Sequence, residues 1–457
     1  MILLKGLEKK TKILLLGMVG FLFTGFYFYP YGVHWDSART MSLILANGHA
    51  TVNNWLGWYF PLLWEGLYKI TGIHHIIGTY INLIYWIGIT ILYLNIFEYE
   101  KRSIWWYITF ACFPGTLMFI VNITNNCLMM VMLILGLAFF AVYSNRKTCW
   151  WLVISIATII QCAFIRRESF VIVIPLIFIL LYIAYKQNHE KCRAIVFSCL
   201  TGLVVITGVF GTEKIITRRL PNYDYMDALS ITALHDMSAV TYMTGKMCIP
   251  VKIFKNEFAD GKTCFEDINN MESVYDSIYN GDIMFHHIRP YIKLDDTYKI
   301  HIARDDINKF YSQNFLSWLK FRSHYVFHYF WYRQIMYYEV KQDNDIMYAP
   351  QSPNIIQKAI SYFLPLLLGG PQLFFYLSLI VMLLSKNNLI IYRFKTENIL
   401  LYSLIGISIL ETLIVVFTSI AVQYRYIYPI CVLQYLTFVY VLSRINYKYI
   451  GEKLGNL

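Results

Sequence analysis

Apolar residues in this chain gather in long unbroken runs, separated by short polar and basic stretches, with little alternation inside the runs. A helix needs about 17 to 25 predominantly apolar residues to cross the hydrocarbon of a bilayer. About ten runs approach or reach that length: 13–30, 76–97, 103–121, 127–143, 149–165, 170–185, 194–211, 361–385, 400–420 and 428–442. The pattern predicts an all-α polytopic membrane protein in three parts: an N-terminal transmembrane module over 1–211, an α-rich extracytoplasmic segment over 212–360, and transmembrane helices over 361–457.

Orientation follows from the Lys and Arg bias of short loops, because basic residues resist translocation. Lys5, Lys9, Lys10 and Lys12 put the N-terminus in the cytoplasm. Counting crossings from there leaves Lys101–Arg102, Arg146–Lys147, Lys186 with Lys191 and Arg193, Lys386 to Lys395, and Arg444 to Lys453 on the same side. The C-terminus is then cytoplasmic as well. No small-residue cleavage pattern follows the first run, so it reads as a retained anchor rather than a removed leader.

Composition agrees with a cell-membrane location: 57% of residues are hydrophobic, 18% aromatic and 15% charged. The net charge of +11 is mostly topological under this reading and implies no nucleic-acid partner. The 9 cysteines are scattered without metal-ligand spacing. Only Cys248 and Cys264 share the large outer segment, where a disulfide is one option.

On the outer side lie the first loop over 31–75, the turn Asn122-Ile-Thr-Asn-Asn126, FIRRESF from Phe164 to Phe170, the segment 212–360, and VQYRYIYP from Val422 to Pro429. The first loop opens with His34, Asp36 and Arg39, and its stretch NNWLGWYFPLLW is too aromatic for a solvated coil. It predicts helices in the interfacial layer. Late in the large segment, FLSWLKFRSHYVFHYFWYR from Phe315 to Arg333 reads as an interfacial helix facing anionic headgroups, with Lys320, His324 and His328 on one face.

Each ionisable candidate has an ordinary reading beside a functional one. Asp36 is either a helix cap and partner of Arg39 at i, i+3, or a general base in a water-poor site. Arg166, Arg167 and Glu168 are either snorkelling side chains or an anion site, since a guanidinium fork matches phosphate oxygens and arginine is scarce at outer span ends. Arg425 has the same two readings. Glu411 lies mid-span, where an ionisable group is costly and usually faces a cavity or a partner. His324 and His328 at i, i+4 lack a completing ligand and read as part of an aromatic face. Asn122-Ile-Thr is a formal glycosylation sequon that lies too near the span ends for use. No Gly-rich phosphate loop, GxSxG, HExxH or CxxC array is present.

Four stretches together resemble the GT-C superfamily, multi-span glycosyltransferases that take sugars from polyprenyl-phosphate carriers, and in particular bacterial relatives of the dolichyl-phosphate-mannose protein mannosyltransferase type. They are HWDSARTMSLILANG with the aromatic NNWLGWYFPLLWEGLYKITG, then FIRRES, LHDMSAVTYMTG and QYRYIYP. The resemblance implies a polyprenyl-phospho-sugar donor and an outer-face glycan or lipid acceptor; no cofactor is read from the sequence, and a divalent metal is an option that no residue pattern supports. Asp36 stands at the place of the catalytic aspartate. Arg166, Arg167 and Arg425 stand where carrier phosphate is held, and His235 and Asp236 stand on the acceptor side; His34 and Arg39, clustered with Asp36, and Glu168, next to Arg167, are further substrate-binding candidates. The chain departs from the pattern in two places: Tyr59-Phe60-Pro61 replaces a common His-Pro pair, and no second acidic residue adjoins Asp36. Two rivals share the outline. A polysaccharide polymerase needs no base at Asp36. A lipid-linked sugar transporter or flippase tends to show repeats and broken helices, and here Gly369-Gly370-Pro371 is the strong break within a run.

Overall fold

In a computed structural model the described residues are 2–28, 32–33, 35–50, 52–53, 57–97, 103–112, 122–166, 169–186, 191–219, 223–224, 228–270, 288–293 and 300–331, with scattered positions among 377–439. Among the described residues the regular structure is helical apart from two parallel pairings of two residues each and one antiparallel bridge, Phe254 with Ile292. Two compact units form. One comprises Met1–Asp224, Ile335–Glu411 and Tyr428–Leu457, and the other Tyr225–Gln334 with Thr412–Ile427.

In the first unit the long helices are α1 (Ile2–Phe28), α4 (Ile76–Ile96), α6 (Asn125–Arg146), α7 (Cys149–Ile165), α8 (Phe170–Lys186) and α9 (Lys191–Arg219). The segment between α1 and α4 contributes α2 (Trp35–Asn47) and α3 (Tyr59–Thr71), and α5 (Trp105–Ala111) follows α4. Among the described residues three helices are long and apolar enough to cross a membrane, Ile76–Ile96, Asn125–Arg146 and Ile195–Ile216, and Cys149–Ile165 and Phe170–Lys186 are shorter apolar helices. The predicted runs 361–385, 400–420 and 428–442 fall largely outside the described residues. Of the run 103–121, the helix Trp105–Ala111 is described.

Helix α6 is apolar all round and therefore sits at the centre, with 89% of its apolar window buried by protein. The corresponding window in α9 is 17% buried, and Leu200, Leu203 and Val204 point away from the protein. That face suits lipid contact.

Short polar links set the packing registers. Thr24 donates to the side-chain oxygen of Asn82 at 2.7 Å, and Trp86 Nε1 donates to Thr24 at 3.0 Å, joining α1 antiparallel to α4. Such bonds and small-residue contacts hold apolar helices together where hydrophobic contrast between helix and lipid is weak. Ser155 donates to the Gly136 carbonyl at 2.7 Å, where a Cβ on Gly136 would lie 2.5 Å from Ile159, so α6 and α7 cross closely. The contacts Asn126–Arg166 and Phe170–Phe210 show that α6 and α7, and then α8 and α9, run antiparallel. The C-terminal ends of α1, α7 and α9 and the N-terminal ends of α4, α6 and α8 consequently share one end of this unit. Arg146, Lys147 and Lys186 lie at the other end, where Asn145 bonds the Asn95 carbonyl at 2.9 Å.

The second unit is built around α10 (Ala228–Thr244), buried throughout its middle, with α11 (Lys262–Asn269) and α12 (Arg304–Trp331) against it. Its core joins Leu234, Met237, Val240, Phe254, Ile292 and Phe310. The Ile302 amide donates to the Ser230 hydroxyl at 2.8 Å, seating the chain before α12 on α10. Cys248 and Cys264 are free thiols, Cys264 within the core.

Candidate functional site

After α1 the chain turns into Gly32–Val33, which pairs in parallel with Asn122–Ile123. Two residues beyond that pairing α2 begins, placing Asp36 in its first turn and Arg39 about one turn further on. An N-terminal first turn favours negative charge, because its amide dipoles point their positive ends there. For Asp36 and Arg39 the backbone is described, and His34 lies outside the described residues.

The partner strand leads into α6. Thr124 caps this helix by accepting from the Cys127 amide at 3.1 Å, satisfying one of the amides that a helix start leaves unbonded. Asn126, 1% exposed, follows in the first turn, and its side-chain oxygen accepts from Arg166 Nη1. Arg166 is itself 8% exposed and ends α7, its amide bonded to the Cys162 carbonyl at 3.1 Å. Ser169 donates to the Arg166 and Cys162 carbonyls at 2.5 and 2.6 Å, tying down the turn into α8. Asn126 thus holds the guanidinium, and the Cys162 and Ser169 bonds hold the Arg166 backbone, at the same end of the bundle as the start of α2.

The aromatic part of the first loop closes on this end. Gly57 has φ +73°, and a Cβ there would lie 2.5 Å from the Phe164 and Ile165 carbonyl oxygens, so glycine answers both the backbone angle and the space. Trp58 packs on Phe164 with ring centroids 4.9 Å apart, and Tyr59 donates to Gln161 at 3.0 Å. Behind them Glu65 of α3 accepts from the Ala50 amide at 2.8 Å and from Lys69 at 2.5 Å. Burial pushes the Glu65 carboxyl up, but the Ala50 amide with Lys69 and His49 outweighs it and holds the group below its usual value. Glu65 thereby fastens the end of α2 to α3. Burial, with the neighbouring His74 charge, pushes His75 down to about 4, so it is neutral where α4 begins. The other pairing, Val52–Asn53 with Tyr223–Asp224, anchors the loop to the exit of α9.

His235 and Asp236 belong to the second unit and are both 0% exposed. Asp236 accepts from Arg322 Nη2 at 2.5 Å, Tyr311 at 2.9 Å and Trp318 Nε1 at 2.8 Å, and His235 Nδ1 lies 3.7 Å away. Burial and the Asp236 charge push the Tyr311 hydroxyl well up, so it stays a donor. A carboxylate enclosed by three donors from one helix serves the interior of its unit. These are the two residues for which the resemblance implies an acceptor-side position.

Of the predicted residues, Asp36, Arg39 and Arg166 are brought to one end of the first unit, and Arg167, Glu168 and Arg425 lie outside the described residues. Two participants carry no prior role. Asn126 was legible only as part of a polar turn. Arg322 had one signal in the sequence, its place at i+4 and i+11 from Trp318 and Tyr311 on an otherwise aromatic helix face. Set against protein-family models, curated proteins and solved structures, the chain matches none of them.

Proposed function

We propose that the chain is a membrane glycosyltransferase that moves a sugar from a polyprenyl-phosphate carrier to an outer-face glycan or lipid acceptor. The observation that carries this reading is the meeting, at one end of the first unit, of the Asp36 helix start, the Asn122–Asn126 turn and the Arg166 helix end. In the proposed topology there are about ten spans, both termini are cytoplasmic, and that end faces out of the cell, where carrier headgroups are accessible. The opposite end carries Arg146, Lys147 and Lys186, as the inward bias of basic loops asks.

In the proposed reaction an acceptor hydroxyl attacks the anomeric carbon as the bond from that carbon to the carrier phosphate breaks, inverting the configuration. Asp36 takes the hydroxyl proton, with His34 and Arg39 orienting the acceptor. The departing phosphate keeps the bonding pair. Arg166, its guanidinium direction set by Asn126, acts with Arg167 and Arg425 on the developing phosphate charge, and Glu168 orients the arginines. Preorganised cations aimed at a leaving anion stabilise the transition state more than the ground state.

The test supplies reconstituted protein with a panel of radiolabelled polyprenyl-phospho-hexoses and extracted envelope glycans, and compares wild type with Asp36→Asn. Loss of a general base is expected to lower transfer by roughly 10²- to 10⁴-fold in a folded variant. Equal transfer by both removes Asp36 from the chemistry. No transfer by either across the panel overturns the reading.

A further inference from the structure

From Ile307 to Tyr338 no acidic residue interrupts the chain, while Lys309, Lys320, Arg322 and Arg333 punctuate it. Helical phase sorts the α12 residues. Trp318, Phe321 and Arg322 turn inward, toward α10 and Asp236. Phe315, Leu316 and Leu319 turn outward at 51%, 78% and 39% exposure, with exposed Lys320 and Ser323 on the same side. Large apolar side chains gathered on one exposed face mark a surface that meets something other than water.

The location of the face suggests its occupant. Trp318, on the flank of this surface, packs on Phe417 with ring centroids 5.9 Å apart, within the same unit. Phe417 belongs to the apolar run 400–420, whose length matches a bilayer crossing and whose C-terminal end is the outer one in the proposed topology. Phe315 in turn packs on Trp318 with ring centroids 5.7 Å apart, so in that topology the outward face of α12 adjoins the outer end of a span. Large apolar side chains next to a lysine, with no carboxylate on the helix beyond its first turn, match the boundary where acyl chains give way to phosphate. The lysine stem can lie along the apolar surface while its ammonium reaches the headgroup layer.

We propose that Phe315, Leu316, Leu319 and Lys320 dock the second unit onto the outer leaflet, with Lys320 selecting anionic phospholipid. The proposal rests on 400–420 being a span and is independent of the transfer chemistry. Its test places a photoreactive side chain, Leu316→p-benzoylphenylalanine, in the full-length chain reconstituted in vesicles of phosphatidylcholine and phosphatidylglycerol. The same residue at Glu257, exposed on the same unit, is the control. Irradiation should give phospholipid adducts at 316 far above those at 257. Phosphatidylglycerol should be captured about fivefold over phosphatidylcholine, and Lys320→Gln should bring the two to parity. Equal adduct yields at 316 and 257, a cross-link from 316 to protein, or a lipid preference unchanged in Lys320→Gln would each overturn the proposal. Position 316 is 78% exposed, so its replacement leaves the core packing untouched.

Discussion

Asp236 and Arg322 illustrate how a buried charge depends on its partner. Both are fully enclosed, and removing one leaves the other charged and desolvated, at a cost of about 3–5 kcal/mol. Arg322→Met is thus expected to lower the thermal midpoint of the full chain in detergent by several degrees or more. The double variant Arg322→Met with Asp236→Asn should recover much of that loss. The asparagine oxygen still accepts from Tyr311 and Trp318, and no unpaired charge remains. Additive losses in the two single variants and the double would show that the pair is not coupled. At this scale the sequence exposed Asp236, because LHDMSAV is a conspicuous stretch, but it did not name Arg322 as the partner. The pairing spans a wide gap in the chain, and on the helix of Arg322 it is Lys320 and His324, not Arg322, that are exposed.

Among the elements, the loop between α1 and α4 depends on contacts at helix ends. The start of α3 lies against the end of α7 through Gly57, whose backbone angle and contact with two carbonyl oxygens leave no room for a Cβ. Gly57→Ala adds about 1–2 kcal/mol of left-handed backbone strain to that clash. It should lower the midpoint of unfolding and, if the transfer reading holds, reduce activity together with it. A variant with an unchanged midpoint would mean that the loop is not held there. Helices at α2 and α3 were foreseeable from aromatic density and from the Asp36–Arg39 spacing. The parallel pairing of Gly32–Val33 with Asn122–Ile123 was not, because two-residue ladders between distant segments carry no periodic signature.

At the largest scale, the described helices of the first unit alternate in direction, which sends Arg146, Lys147 and Lys186 to one end and the candidate site to the other. Cys149, exposed at the start of α7 beside Lys147, gives a native probe of the proposed orientation. A membrane-impermeant maleimide should label it in inside-out vesicles and leave it unlabelled in right-side-out ones. The reverse labelling would invert the topology and place the Asp36 end in the cytoplasm. Membrane association, helical class and the polar stretches worth watching were legible from run length and charge bias alone, since crossing a bilayer imposes a minimum apolar length on any helix that does it. Which of those polar stretches meet was settled by packing. Asn126 reaches Arg166 because α6 and α7 run antiparallel in a register set by Gly136 and Ser155, and Asp236 finds Arg322 because α12 lies along α10. Contacts between residues distant in the chain depend on how helices are seated against one another, and a one-dimensional pattern of apolar runs holds no record of that seating.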